Sequence, residues 1–269
     1  MRDVKLRLGT SIFNEKFLNK AEVFRALKKD PSLHSFLPES YLCKNYLLVK
    51  NMCTKFKTVF IKPTSGSLGK GIIRVSRRPD QKYTVEMMTA GGLRRVSCET
   101  TAKVYSLISS KLKARPYQIQ QGLPLISIGS RTVDFRALVQ KDRSGKWSVT
   151  SVVARIAGNQ NFISNLARGG TISTVTNAVA RSNLPLRARK GIHSQLKQAA
   201  LNIANGLDQQ INRHFGELGI DLGVDRAGKV WLLEVNSKPS KNDDSSLVKG
   251  GVRPSVKRLV QYVLHLSGF

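Results

Sequence analysis

Two α+β lobes built from antiparallel hairpins, with no regular βαβ array, are what the sequence predicts. Three features lead there. Short apolar runs flank turn-forming stretches at residues 65–71 and at Asp225-Arg226-Ala227-Gly228, the pattern of hairpins. Leu196, Ala200, Ile203, Leu207 and Ile211 recur every three or four positions, the period of one long helix. Finally, the pattern restarts after Pro116 with a short extended segment, Tyr117–Gln121, which sets a division there.

Taken in order, residues 16–29 read as a short amphipathic helix with Phe17, Phe24 and Leu27 on one side and Pro31 beyond its end. Val59-Phe60-Ile61 and Ile72-Ile73-Arg74-Val75 read as strands on either side of the glycine-rich turn. Residues 83–87 make a further strand, ended by Gly91-Gly92, and residues 97–112 a helix. Strands over 132–140 and 147–154 are joined by a polar turn, and Gly169-Gly170 mark a loop. Strands over 220–224 and 230–235 follow the long helix. A last helix follows Pro254, with Val256, Leu259, Val260, Val263 and Leu264 on its apolar side. There is no internal repeat.

A chain of 269 residues that is 41% hydrophobic is long enough and apolar enough for a real core. No apolar run is long enough to span a bilayer, and the N-terminus leads into no apolar segment of a secretory signal. Cys43, Cys53 and Cys98 lack CxxC spacing and read as reduced thiols of a cytoplasmic protein. Charge is the unusual quantity: 45 Lys+Arg against 17 Asp+Glu give +28. Between Thr100 and Leu207 the only carboxylates are Asp134 and Asp142. Such a field attracts polyanions such as nucleotides, nucleic acid or acidic peptides; a solvated basic face is the plainer reading.

Two places suggest chemistry. Lys62 ends an apolar strand and is followed by a loop holding Ser65, Gly66, Ser67, Gly69, Lys70 and Gly71. Glycines let backbone N–H groups approach an anion, and lysine adds a point charge, although a simple glycine turn reads equally from these residues. It is not a Walker A loop, since the GxxxxGK[ST] order is absent. Asp221 and Glu234 end strands that a tight turn sets side by side, with Asn236 two residues on. Their oxygens suit magnesium better than a plain ion pair with an arginine. Between these places Asp134 and Arg136 share a strand face, Arg155 ends the partner strand, and Asn165, Arg168, Gly169 and Gly170 form a polar loop. Each of these alone also reads as an ordinary ion pair or loop.

Together, the lysine strand, the glycine loop, D-x-R, N-x-x-R-G-G and D…E-x-N resemble the ATP-grasp superfamily over residues 12 to 240. Phe13-Asn14, Lys29-Asp30-Pro31, Phe36-Leu37-Pro38-Glu39-Ser40 and Asp134-Phe135-Arg136 look closest to the YheC/YheD-type endospore coat-associated proteins. The resemblance implies an ATP-grasp fold, with a nucleotide cleft between the lobes and most of the usual N-terminal lobe missing. It places Lys20 and Lys62 on ATP phosphates, under the glycine loop. The adenine hinge falls at Gln118–Leu123, so that Gln120, Gln121 and Leu123 face the nucleotide where the family often has a glutamate. Asp134 and Arg136 match the D-x-R pair, Arg155 faces the transferred phosphate, and Asn165, Arg168, Gly169 and Gly170 lie near the acyl acceptor. Asp221, Glu234 and Asn236 match the family's Mg2+ ligands. The expected organisation is residues 1–40 as a helical segment on the C-terminal lobe, 41–115 as the small lobe and 116–269 as the large lobe with the magnesium site.

The activity this implies is ATP-dependent joining of a carboxylate to an amine through an acyl-phosphate, with an acidic peptide or other polyanion as acceptor. The rival is a basic scaffold of the same fold that binds nucleic acid or an acidic spore-coat component.

Overall fold

Asn19 decides where the first helix begins. Its Oδ1 accepts from the backbone N–H groups of Ala21 at 2.9 Å and Glu22 at 3.4 Å, so α1 spans Lys20–Leu27 and not the whole of 16–29. Phe17 lies outside it and is exposed. A computed structural model describes residues 12–66, 70–89, 92–158, 170–240 and 252–268. By its contacts the chain sorts into two units, one of residues 19–24 and 37–124, the other of the remainder.

The smaller unit holds β1 (Ser40–Leu42), α2 (Tyr46–Lys55), β2 (Thr58–Pro63), β3 (Ile73–Arg77), β4 (Tyr83–Thr89), β5 (Gly92–Cys98), α3 (Thr101–Ala114) and β6 (Tyr117–Gln121). Its strands form one antiparallel sheet in the order β1-β6-β2-β3-β4-β5. Val59, Ile61, Ile73, Val75, Val85, Met87 and Ile119 are buried on the face that packs against Val49, Met52, Val104 and Ile108 of the two helices. Asn45 and Thr100 cap α2 and α3 through their side-chain oxygens. The strand Gly92–Cys98 takes in Ser97 and Cys98, where the sequence reading began its helix; Thr100, as N-cap, fixes the helix start at Thr101. The contact division falls after Pro124 and not near 116, because Tyr117–Gln121 is paired on both sides, to β1 and β2. Cys53 and Cys98 are buried and Cys43 is partly so; burial pushes the Cys53 thiol up to about 12 and Cys43 to about 11.

The larger unit holds β7 (Ser127–Ile128), β8 (Arg131–Lys141), β9 (Trp147–Ile156), β10 (Thr171–Thr174), α4 (Val175–Arg181), α5 (Leu186–Arg189), α6 (Ile192–Gln210), β11 (Glu217–Val224), β12 (Val230–Asn236) and α7 (Pro254–Leu266). The sheet order is β10-β9-β8-β11-β12, again antiparallel, with β7 beside β8. Helix α6 packs across β8, β9, β11 and β12 through the stripe expected from its period: Leu196, Ala200, Ile203 and Leu207 are buried. Helix α7 behaves differently from its pattern. Val256, Val260, Val263 and Leu264 stay exposed, and the helix is seated through Ser255 and Tyr262, whose hydroxyl meets His214 Nε2 at 2.6 Å. The described part of the N-terminal strap is tied down by Asn14. Its side-chain amide donates to the Glu217 carbonyl, and its Oδ1 accepts from Gly216 and Glu217 N–H.

The segment after β6 has no spare room. The Gly122 N–H donates to the Thr58 carbonyl at 2.8 Å. A Cβ on Gly122 would lie 2.7 Å from that oxygen and 2.8 Å from Thr58 Cβ. Gly122→Ala is therefore predicted to push β2 from β6 and to cost about 1–3 kcal/mol, read as a lower urea midpoint; an unchanged midpoint contradicts this packing.

Candidate functional site

Alternation along β8, β9 and β11 gathers charges on one face of the larger sheet. Asp134 pairs with Arg155 across β8 and β9, and Arg136 with Asp221 across β8 and β11. Asp221 in turn faces Glu234 on β12. Arg155 Nε donates to Asp134 Oδ1 at 2.7 Å and its Nη2 lies 3.2 Å from Asp221 Oδ1. Arg136 grips the same carboxylate with two nitrogens, Nε on Oδ1 and Nη2 on Oδ2, the latter at 3.0 Å. Asn236 Nδ2 lies 3.5 Å from Asp221 Oδ2. Gly219 lies against Pro239: a Cβ there would stand 2.8 Å from Pro239 Cβ, and at ordinary contact distance, 3.4 Å, from Arg136 Nη1.

A bulge sets the face of Glu234. Asp221 pairs with Glu234, yet Leu222 pairs with Leu232, so Leu233 is an extra residue in β12. With strict alternation, Val230, Leu232 and Glu234 would share one face. The extra residue breaks that parity, leaving Leu232 on the buried side and Glu234 opposite Asp221, half-buried.

The charges fix one another. Burial by itself raises the Asp221 pKa; Arg136 and Arg155 outweigh it and hold the carboxyl below its ordinary range. Burial also opposes the charge on Arg155, but Asp134 and Asp221 raise its pKa and keep it charged.

The smaller unit carries a second arrangement. Lys62 and Phe60 on β2 share a face with Gln118 and Gln120 on β6. Lys62 Nζ donates to Gln120 Oε1 at 2.6 Å, and Gln120 Nε2 donates to Ser40 Oγ at 3.0 Å. Lys20 donates through its backbone N–H to the Thr64 carbonyl and through Nζ to the Gly66 carbonyl, both at 3.0 Å. Asn19 Nδ2 donates to Ser65 Oγ at 3.3 Å. Gly66 and Gly71 have φ of +123° and +76°, the left-handed side of backbone space that only glycine enters freely. Both lysines therefore attach to the turn or to the strand beside it.

The YheC/D-like ATP-grasp family model matches residues 9–266. The chain belongs to that family. It is 32% identical over 230 residues to the endospore coat-associated protein YheD of Bacillus subtilis (strain 168), covering 86% of this chain and 50% of that protein. To YheC of the same organism it is 20% identical, covering 83% of this chain and 60% of that protein. The chain thus spans between half and three fifths of the length of these relatives. Among solved structures it is similar to the ATP-grasp ligase PsnB complexed with minimal precursor, at a TM-score of 0.52 and 14% identity, covering 90% of this chain and 60% of that one. It is also similar to the C-terminal domain of K. lactis Pby1, an ATP-grasp enzyme interacting with the mRNA decapping enzyme Dcp2, at a TM-score of 0.52 and 14% identity, covering 95% and 73%. Both share the ATP-grasp fold with it.

Within this family frame, the larger sheet brings Asp134, Arg136, Arg155, Asp221, Glu234 and Asn236 to one face, and the smaller unit brings Lys20, Lys62, Ser65, Gly66 and Gln120 together. Gln121 binds Glu39 instead, its N–H donating to the Glu39 carbonyl at 2.8 Å and its Oε1 accepting from the Glu39 N–H at 3.3 Å. Leu123 follows in the loop, half-buried; Lys70 is exposed, and Gly170 directly precedes β10. Ser67, Gly69, Asn165, Arg168 and Gly169 lie outside the described residues. Sequence reasoning missed Glu86, a carboxylate 2% exposed on β4 and gripped by Arg74 and Arg95. Its signal was the lone acid between Val85 and Met87 in a strand.

Asp221 and Glu86 both have folded pKa values below their unfolded ones. The stability they supply is complete above the unfolded value of about 4 and is lost as pH falls through the folded value. Urea midpoints are predicted to change little from pH 8 to 5 and to drop below about pH 4. Asp221→Asn leaves Arg136 and Arg155 short of a counter-charge. It should cost about 3 kcal/mol at pH 7 and flatten the acid limb; an unaltered midpoint at pH 7 refutes this.

Proposed function

We propose that the chain is an ATP- and Mg2+-dependent ligase joining a carboxylate to an amine through an acyl-phosphate. Lys20, Lys62 and the turn at 65–71 hold the nucleotide phosphates, and Gln120, Gln121 and Leu123 border the base. Arg155 and Arg136 balance the charge that develops as the γ-phosphoryl leaves ADP for a carboxylate oxygen. An amine then attacks the acyl carbon, a C–N bond forms, phosphate departs and the amine proton is lost to solvent. Asn165, Arg168, Gly169 and Gly170 border the acceptor, and Asp134 keeps Arg155 aimed. One observation carries this reading: the bulged register that sets Asp221 against Glu234, with both arginines on Asp221.

Mg2+ would be held by Glu234, Asn236 and Asp221, the last with oxygens that also accept from Arg136 and Arg155. Among the described residues no three carboxylate, imidazole or thiol groups gather into a metal cage. Asp221, Glu234 and the Asn236 amide are all-oxygen donors and too few to enclose a cation, which suits an ion that keeps water and phosphate oxygens. Bound there, it would draw charge from the phosphates during transfer. Saturating Mg-ATP is predicted to raise the melting temperature. Lys62→Ala removes most of that rise, and Glu234→Gln keeps the fold while ADP release collapses. A wild-type protein indifferent to Mg-ATP defeats the proposal.

The basic surface bears on the acceptor and on where the protein acts. Arg181, Arg187 and Lys190 are exposed, whereas Arg189 is spent inside, donating to the carbonyls of Leu184 and Ser182. Gly228 approaches Ala188 so closely that a Cβ would lie 3.3 Å from its methyl, which brings the Arg226–Lys229 turn beside α5. The Asp225 carboxylate of that turn is occupied with the N–H groups of Ala227, Lys229 and Trp231. This knuckle suits an acidic peptide acceptor, and the names of the relatives make a spore-coat component one such partner. The second reading, a basic scaffold holding nucleic acid, rests on the +28 charge. Among the described residues no helix is long and apolar enough to cross a membrane. Reversing Arg181, Arg187, Lys190 and Arg226 to Glu is predicted to abolish salt-sensitive binding of polyglutamate while sparing Mg-ATP affinity. Tight DNA binding with no peptide-stimulated ADP release favours the scaffold.

A further inference from the structure

One row of residues crosses all six strands of the smaller sheet. Ser40 on β1 pairs with Gln120 on β6, Gln120 with Phe60 on β2, Phe60 with Arg74 on β3, Arg74 with Glu86 on β4, and Glu86 with Arg95 on β5. Residues directly opposite in a ladder share a face, so the row lies on the side that carries Lys62, away from the apolar core. Lys62 is two residues from Phe60, the partner of Arg74, which makes Lys62 and Arg74 diagonal neighbours about 7–8 Å apart at the backbone. They stand on the two strands that the glycine-rich turn connects.

Two cationic side chains thus share one sheet face on the strands that flank a turn with left-handed glycines, a setting that favours an anion. What holds Arg74 there is Glu86. Both Nε and Nη2 of Arg74 meet Glu86 Oε2, which fixes the plane of the guanidinium and directs Nη1 to its opposite side. Arg95 meets the other oxygen, Oε1, through Nη2 at 3.0 Å and Nε at 3.2 Å. Burial by itself raises the Glu86 pKa, but the hydrogen bonds from Arg74 and Arg95 hold it below its ordinary range, so it stays an anion. Surface ion pairs contribute little and orient loosely, whereas here the acid is 3% exposed in its side chain and Arg74 31%. A buried carboxylate that grips an arginine from behind is a device for orienting it.

We propose that Arg74 is an anion-contacting residue that works beside Lys62 on the phosphates of the bound nucleotide, and that Glu86 is the positioning residue that aims it. This rests on the ATP reading above and adds to it a residue that neither the glycine turn nor the D-x-R and E-x-N patterns contain. The ligand chemistry is a phosphate oxygen; the fork of Arg74 can give it two N–H groups where Lys62 gives a point charge.

The test compares binding of Mg-ATP and of adenosine by calorimetry in the full chain and in two variants. Arg74→Gln is expected to weaken Mg-ATP about tenfold and to leave adenosine within about twofold, since only the phosphate end is touched. Glu86→Gln separates aiming from bulk charge. Removing a negative charge near an anion site should tighten ATP on field effects alone; loss of aiming weakens it, and weakening by several-fold is the expected result. Should Arg74→Gln melt below the assay temperature, Arg74→Lys keeps the pairing with Glu86 and should still weaken Mg-ATP with adenosine unchanged. Wild-type affinity for Mg-ATP in the Arg74 variants overturns the proposal. So does a Glu86→Gln protein that binds Mg-ATP as tightly as wild type or more so. A wild-type protein that binds neither ligand defeats the ATP reading itself, and this inference with it.

Discussion

The sharing of Asp221 between Arg136 and Arg155 is the constraint on which the larger unit depends. A buried carboxylate without a cation is expensive, and so is a buried guanidinium without an anion. Three strands solve both costs at once: β8 supplies Asp134 and Arg136, β9 supplies Arg155, and β11 supplies Asp221. Because the partners sit at fixed register positions, a slip of one residue in any strand would send a charge into the apolar face. The network therefore specifies pairing as well as chemistry. The Leu233 bulge serves it by turning Glu234 toward the charges.

The smaller unit obeys a similar logic with a different acid. Its apolar face is filled by two capped helices, and its other face carries a row from Ser40 to Arg95 that is polar except for Phe60. Glu86 lies within that row, where Arg74 and Arg95 compensate it. In both units a buried carboxylate holds arginines on one face of a sheet. For the ligase proposed above, cations held rigid before charge develops cost no rearrangement at the moment of transfer.

Much of this was legible in the sequence, and the reasons differ by element. Helix α6 announced itself because its apolar period matched its buried face. The β11–β12 hairpin was readable from the Asp225–Gly228 turn, which puts Asp221 and Glu234 on neighbouring strands; their direct facing comes from the bulge. Strand β5 was not readable: Gly92–Cys98 has one buried residue, so no alternation marks it. Helix α7 misled because its valines stay exposed while Tyr262 anchors it through His214. The Leu233 bulge is invisible in the sequence, since strict alternation puts Glu234 with Leu232, and only the ladder reveals the extra residue. Glu86 escaped for a related reason: its partners Arg74 and Arg95 lie on two other strands, and the register that joins them is a tertiary property.

The account stands on Asp221 and Arg155 acting as one unit, and a double-mutant cycle on folding stability tests that most directly. Asp221→Asn, Arg155→Met and the pair are unfolded in urea at pH 7. Shared burial of the two charges predicts a coupling of at least about 1.5 kcal/mol, with the double variant less damaged than the sum of the singles. Additivity within about 0.5 kcal/mol would mean that the two residues are merely neighbours, and would contradict the central claim.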